Sequence, residues 1–263
     1  MHAFEFSIPT RIVFGPGTES RTGELAAGLG ARRVLLVCGG QSARRSGLLD
    51  RVEQSLTQAG LTCRVFAGIH PNPRLFQVRE GVQAALEFGA DLILAVGGGS
   101  VIDAAKAIAL GAAEPEADLW DFWLGKRPVE RTLPVGAVLT ISAAGSETSS
   151  SAVLTRDDTL EKRGLTSEQI RPRFAVMDPE LTCSLPPYQI ACGVVDIMMH
   201  TLDRYFTCVT GNLLTDEIAQ GLLRTVIRCG ARALADPCDL QAMSELMLSL
   251  IHISEPTRLG MIS

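Results

Sequence analysis

The chain has 263 residues, of which 46% are hydrophobic, and its formal net charge is −5 at pH 7. This length suits one large domain or two modest ones, and so apolar a composition excludes a disordered chain. The acidic balance argues against nucleic acid or an anionic membrane surface as the main partner. No run of about 18 apolar residues predicts a membrane span, and the first residues lack a secretory signal pattern.

Seven cysteines are scattered along the chain, and none forms a Cys-x-x-Cys pair. An odd number without paired spacing fits reduced thiols better than a disulfide framework. Because thiols stay reduced in the cytosol, the sequence predicts a cytoplasmic protein.

Short apolar runs alternate with segments of helical period in the first half of the chain. The predicted order is strand 33–38, helix 47–60, strand 62–67, helix 78–89, strand 91–96 and helix 101–110. This alternation predicts parallel βαβ units in an α/β domain. In such a sheet a ligand binds at the carboxyl ends of the strands.

The pattern changes after about Pro186. Helical segments follow at 189–206, 215–234 and 240–250, with no strand-like run between them. We therefore predict a boundary at 185–187, with an α/β domain over 1–185 and an all-helical domain over 186–247.

The final stretch, 248–263, resembles the conceptual translation of a sequencing-library adapter. Its helical period fails at Glu255 and Pro256. We expect 248–263 to be a non-native tail and the helical domain to be truncated after Met247, with a genuine frayed terminus as the alternative.

Glycines form a loop between the strand predicted at 91–96 and the helix after it. Gly97, Gly98 and Gly99 let backbone N–H groups approach an anion, and the helix directs its partial positive end there. Ser100 can cap this helix and donate to phosphate. The segment predicts a pyrophosphate-binding loop, and a tight strand–helix turn is the structural alternative.

A second glycine pair, Gly39 and Gly40, follows the strand predicted at 33–38. A carboxylate at such a strand end would hold a ribose 2′-hydroxyl, whereas small or basic residues admit a 2′-phosphate. Here Ser42, Arg44 and Arg45 follow without Asp or Glu. The loop favours NADP(H) over NAD(H), unless both arginines are merely solvated helix residues.

Asp196 and His200 are four residues apart on a predicted helix. That spacing places a carboxylate and an imidazole on one face, and such donors suit Fe(II), Zn(II) or Mn(II). A surface ion pair explains such spacing at least as often. Because a divalent site normally needs three or four protein ligands, the pair predicts part of a metal site.

Together these residues resemble the iron-dependent alcohol dehydrogenases, and within them the butanol dehydrogenase branch. The resemblance also rests on Phe-Gly-Pro-Gly-Thr at 14–18, Pro-Asn-Pro at 71–73, Thr-Ile-Ser-Ala-Ala-Gly-Ser-Glu at 140–147, Asp-Pro at 178–179, Leu-Pro-Pro at 185–187 and Gly-Val-Val-Asp at 193–196. It implies a Rossmann-like parallel-sheet N-terminal domain, an all-α C-terminal domain and a catalytic metal in the cleft between them.

The resemblance also implies roles for single residues. At the cofactor pyrophosphate it places Gly97, Gly98, Gly99, Ser100 and Asp103; at the adenosine ribose Gly39, Gly40 and Ser42, with Asn72 nearby; and along the nicotinamide half Thr140, Ser142, Val153 and Lys162. Asp196 and His200 match the first two metal ligands. The family has two further histidines downstream, and this sequence ends before both.

The expected function is a metal-dependent alcohol dehydrogenase or aldehyde reductase. It would transfer a hydride between NAD(P)H and a small aldehyde or primary alcohol, with Fe(II) or Zn(II), as a homodimer. One alternative is a catalytically inactive nucleotide-binding fragment. Another is a glycerol dehydrogenase-like relative, which shares the glycine loop, although the motifs at 71–73 and 145–147 favour the alcohol dehydrogenases.

Overall fold

A computed structural model describes residues 7–206 and 213–254. The described chain forms two compact units. The first is an α/β unit made of Thr10–Thr140 and Ser146–Asp178. The second is a helical unit that combines residues 7–9 and the short segment Ile141–Gly145 with the described residues from Pro179 onward.

A parallel sheet forms the centre of the α/β unit. Its strands are β1 (Arg11–Phe14), β2 (Arg33–Cys38), β3 (Thr62–Phe66), β4 (Leu92–Gly97), β5 (Val135–Leu139) and, after a separate hairpin of β6 (Ser151–Thr155) and β7 (Lys162–Thr166), β8 (Phe174–Met177). The strand order is β1-β8-β5-β4-β2-β3, and every neighbouring pair is parallel. β4 and β5 are buried along their whole length, as their unbroken apolar sequences require.

Helices connect the strands of the α/β unit. They are α1 (Thr22–Gly28), α2 (Ser42–Arg45), α3 (Leu48–Gln58), α4 (Leu75–Phe88), α5 (Gly99–Ala113) and α6 (Leu119–Trp123). α4 ends at Gly89, whose φ of 66° is the left-handed conformation that glycine adopts without strain. α4 and α5 pack closely, since a Cβ on Gly81 would lie 2.4 Å from Ile108 Cδ1.

The helical unit contains α7 (Pro187–Tyr205), α8 (Leu213–Ala235) and α9 (Leu240–Ser254). α7 and α8 approach closely at Gly230, where a Cβ would lie 2.8 Å from Val194 Cγ1. None of the helices in the described ranges is long and apolar enough to cross a bilayer.

The predicted fold class, a parallel-sheet α/β domain followed by a helical region, is confirmed. The structure adds the β6–β7 hairpin, which no sequence pattern indicated. The predicted boundaries at 185/186 and 247/248 stay predictions. α9 continues to Ser254, and the rest of the predicted tail, residues 255–263, lies outside the described residues.

Candidate functional site

The sheet order creates a switch point between β2 and β4. The chain passes from β2 to β3 on one side, then returns to β4 on the other side of β2. Cys38 at the end of β2 pairs with Val96 near the end of β4. The two glycine loops predicted to bind a nucleotide therefore lie side by side at the carboxyl edge, where such sheets bind ligands.

The loop after β4 leads directly into α5. Gly98 precedes the helix in an extended conformation, with φ of −91° and ψ of −170°. A Cβ on Gly97 would lie 2.6 Å from Val101 Cγ2, so only glycine fits where the strand turns into the helix. The first N–H groups of α5 lack helical acceptors, as at any helix start, and can bind an anion.

The two loops share one neighbour. A Cβ on Gly39 would lie 3.6 Å from the same Val101 methyl group. After Gly40 the chain enters α2, where Ser42, Arg44 and Arg45 are exposed. These side chains are accessible to a phosphate group bound beside the loop.

Three predicted cofactor residues from distant parts of the chain form one hydrogen-bonded series. The backbone N–H of Asn72 donates to Ser100 Oγ (3.2 Å). Lys162 Nζ donates to the side-chain oxygen of Asn72, Oδ1 (2.9 Å). Asn72 has φ of 55°, a conformation that asparagine tolerates better than most residues. The series places a lysine cation beside the first turn of α5.

Asp103 lies one turn into α5, and its carboxylate is engaged within the protein. Oδ1 accepts from Ser146 Oγ (2.6 Å), and Oδ2 accepts from the Val153 amide (3.0 Å). Burial raises the pKa of Asp103, against the opposing effects of Lys106 and both hydrogen bonds. Asp103 and Val153 are thus brought together, and their contact with a cofactor stays a prediction.

The Thr140 amide donates to Gly97 O (3.2 Å), which places Thr140 beside the glycine loop.

Asp196 and His200 lie on α7 in the helical unit. Asp196 Oδ1 and His200 Nε2 are 3.7 Å apart, and the side chains are 45% and 43% exposed. That distance exceeds a normal hydrogen bond, so both atoms can accept another partner. Carboxylate oxygen and imidazole nitrogen are suitable donors for iron or zinc. Within 7–206 and 213–254, no group of three or more His, Cys, Asp or Glu residues could hold a metal. The pair therefore fits part of a divalent site.

The segment Ile141–Gly145 packs against the first half of α7. A Cβ on Gly193 would lie 2.2 Å from Ser142 O, so glycine is required there. Beside Asp196 is an open pocket of about 480 Å³. Its lining includes the apolar side chains of Ile141, Ala143, Val195 and Met199. Ser142 is the one predicted cofactor residue that belongs to the helical unit.

Sequence reasoning assigned no role to the buried polar residues Lys106 and Glu147. Both are fully or almost fully inaccessible, at 0% and 1% exposure. For Lys106 the available signal was a charged residue among the apolar residues of a predicted helix, which is rare without a buried partner. Glu147 lies in a turn and gave no such signal.

The chain thus has a parallel α/β sheet with two glycine loops at its switch point, which is where proteins of this class bind nucleotides. A family model described as iron-containing alcohol dehydrogenase matches residues 9–179, and the chain belongs to this family. This confirms the resemblance found in the sequence.

Curated relatives and solved structures are similar over most of this chain. NADH-dependent butanol dehydrogenase A of Clostridium acetobutylicum is 39% identical over 247 residues, which cover 94% of this chain and 63% of the relative. NADPH-dependent aldehyde reductase YqhD of Escherichia coli is 38% identical over 254 residues, with the same coverage of 94% and 63%. The crystal structure of NADH-dependent butanol dehydrogenase A from Thermotoga maritima superposes with a TM-score of 0.95 at 39% identity, covering 98% of this chain and 64% of that one. The chain thus spans less than two thirds of the length of these relatives.

Proposed function

We propose that this protein, at the length of its relatives, interconverts small aldehydes and primary alcohols by hydride transfer with a nicotinamide nucleotide. The observation that carries the proposal is the pair of glycine loops at the switch point, in a chain that also presents Asp196 and His200 on one helix face. When bound, the nucleotide would supply or accept the hydride and a divalent metal would polarise the substrate oxygen.

The α/β unit provides the residues for the nucleotide. The first turn of α5, with Ser100, would hold the pyrophosphate, and Lys162, which contacts Asn72, would lie along the nicotinamide half. Ser42, Arg44 and Arg45 would hold a 2′-phosphate, which favours NADP(H). The relatives are named for both NADH and NADPH, so this preference needs its own test.

The helical unit provides the residues for the metal and the substrate. Asp196 and His200 would hold Fe(II) or Zn(II) together with further ligands. The apolar walls of the pocket beside Asp196 would bind the alkyl part of a short aldehyde and exclude water. Polar or charged substrates would lose affinity against such walls.

The test is an assay of the protein at the length of its relatives with butyraldehyde, NADPH and added Fe(II) or Zn(II). We expect metal-dependent oxidation of NADPH, abolished in His200→Asn and retained in Asp203→Asn, an exposed carboxylate on the same helix. Arg44→Gln should weaken the binding of NADPH without affecting the binding of NADH. Turnover of glycerol but of no short aldehyde would favour a glycerol dehydrogenase-like activity, and no turnover with either would refute the proposal.

For the chain of 263 residues itself we propose nucleotide binding without stable metal binding. The support is that the residues described in 7–206 and 213–254 bring together only the pair Asp196 and His200, and two ligands hold a divalent ion weakly. Metal analysis after dialysis should find little iron or zinc. Near-stoichiometric metal in the dialysed chain would contradict this.

We also propose a homodimer in the cytoplasm, with no nucleic-acid partner. The support is the family resemblance and the acidic charge, together with the cysteines of the described residues, none of which is in a disulfide. Light scattering of the protein at the length of its relatives would test the dimer, and a monomer would refute it.

A further inference from the structure

Two charged side chains lie in the buried helix α5, one turn apart. They are Asp103 and Lys106, and the rest of the helix is uncharged. Lys106 has no exposed surface, and its Nζ donates to the carbonyl oxygens of Ser146 (2.8 Å), Ser149 (2.9 Å) and Ser151 (2.7 Å). A buried ammonium is costly unless its protons are satisfied, and here three carbonyl oxygens match its three protons.

Asp103 also binds the segment 146–151 that Lys106 contacts. Ser146 Oγ donates to Asp103 (2.6 Å) and lies 3.2 Å from Lys106 Nζ, so one hydroxyl bridges the two charges. Burial lowers the pKa of Lys106 to about 8, while Asp103 and Glu147 act in the opposite direction. The three carbonyl oxygens around Nζ are hydrogen-bond acceptors and fit the protonated ammonium form of Lys106.

The segment that Lys106 holds leads into the β6–β7 hairpin. Ser151 is the first residue of β6, and Thr155 at its other end pairs with Lys162 of β7. Lys162 reaches Asn72, and Asn72 reaches Ser100 in the first turn of α5. The contacts thus form a closed ring that leaves α5 at Lys106 and returns to it at Ser100.

We propose that Lys106 is a positioning residue, which fixes the β6–β7 hairpin so that Lys162 stays beside the glycine loop for a bound nucleotide. The proposal rests on the proposed function, because Lys162 matters only if that loop binds a nucleotide. Lys106 has no exposed surface, so it acts through Lys162 rather than by touching the nucleotide. Removing Lys106 should therefore have little effect once Lys162 has been removed.

A double-mutant cycle on the chain of 263 residues tests this coupling, with NADPH as the probe and its fluorescence as the binding signal. Lys106→Met and Lys162→Met should each weaken NADPH binding by about tenfold, the scale expected for a lost contact of a charged group. The double variant should be no more than about twofold weaker than Lys162→Met, because coupled residues are not additive. If the loss of NADPH affinity in the double variant equals the product of the two single losses, the proposal is overturned. Unchanged NADPH affinity in Lys106→Met would also overturn it.

The matched control is Trp123→Phe. Trp123 Nε1 donates to Ala152 O (3.2 Å), so this variant removes a different hydrogen bond to β6. It should lower thermal stability without changing NADPH affinity. An equal loss of affinity in Trp123→Phe would overturn the specific role of Lys106.

Hydrogen exchange provides a readout that needs no nucleotide. The backbone amides of 151–155 should exchange faster in Lys106→Met than in wild type. They should also exchange faster in Ser146→Ala, which removes only the bridging hydroxyl. Ser146→Ala is the substitute if Lys106→Met does not fold. Ser146→Ala then takes the place of Lys106→Met in the double-mutant cycle. If Ser146→Ala changes neither the NADPH affinity nor the hydrogen exchange of 151–155, the proposal is overturned. A wild-type chain that binds neither NADPH nor NADH would refute the proposed function and the coupling with it. Intact wild-type binding with unchanged variants would refute the coupling alone.

Discussion

Glu147 makes the stability of the α/β unit depend on pH. Its side chain is 1% exposed, and Oε1 has no hydrogen-bond partner among the described residues. Burial raises the pKa of Glu147 from 4.5 to about 7, although its own backbone amide and Lys106 oppose the rise. The folded state therefore keeps a proton that the unfolded state loses above 4.5, so stability falls as the pH rises towards 7.

The size of this effect follows from the change in pKa. A rise from 4.5 to about 7 corresponds to roughly 3 kcal/mol in total, at about 1.36 kcal/mol per pH unit. Between about pH 5 and about pH 8, wild type should lose roughly 2 to 3 kcal/mol relative to Glu147→Gln, which cannot ionise. Titrating groups that do not interact with Glu147 contribute equally to both proteins and cancel in the comparison. Lys106 is the exception, because Glu147 raises the pKa of Lys106.

Urea unfolding measures this difference. The chain has two tryptophans, Trp120 and Trp123, and both are buried in α6 of the α/β unit, so their fluorescence reports the relevant transition. Glu130→Gln, at an exposed position, is the matched control and should show a constant difference from wild type. If the stability difference between Glu147→Gln and wild type is also the same at both pH values, the reasoning is refuted.

Three further predictions concern glycines and the metal pair. Gly193→Ala should destabilise the helical unit by about 1–3 kcal/mol in thermal unfolding, because its Cβ meets backbone at 2.2 Å. A Cβ on Gly221 would lie 3.9 Å from Arg224 Nη2, so Gly221→Ala should leave stability unchanged or raise it. Equal losses of stability in the two variants would contradict the argument. Gly97→Ala should weaken NADPH binding at least about tenfold by calorimetry, since the glycine loop must shift, and unchanged affinity would count against the loop. In the protein at the length of its relatives, His200→Asn should weaken Zn(II) binding in a competition titration while Asp203→Asn should not; equal effects would place the metal elsewhere.

Local patterns predicted the elements around the switch point well. β4 is a run of apolar residues followed by glycines, and α5 begins where those glycines end, so both could be predicted from neighbouring residues. The position of β1 beside β8 could not, because the pairing of Arg11 with Phe174 joins residues far apart in the chain. Periodicity carries no information about such distant partners.

The hairpin was missed for a different reason. All but one residue of β7 are exposed, so the strand lacks the apolar alternation that marks a half-buried strand. The role of Lys106 was equally hidden, because its main partners are backbone carbonyls that any residue types could supply. The resemblance to the family pointed to Lys162 and Asn72, yet only the structure shows that they touch.

The shared contact at Val101 has a practical consequence for engineering coenzyme preference. One methyl group of Val101 faces both Gly97 and Gly39, so a bulky substitution at Gly39 would push against the residue that shapes the other loop. Libraries intended to exchange one coenzyme for the other are best confined to the exposed positions 42, 44 and 45. Keeping Gly39, Gly97 and Val101 unchanged should preserve the shape of both loops, and with it the proposed site for the diphosphate.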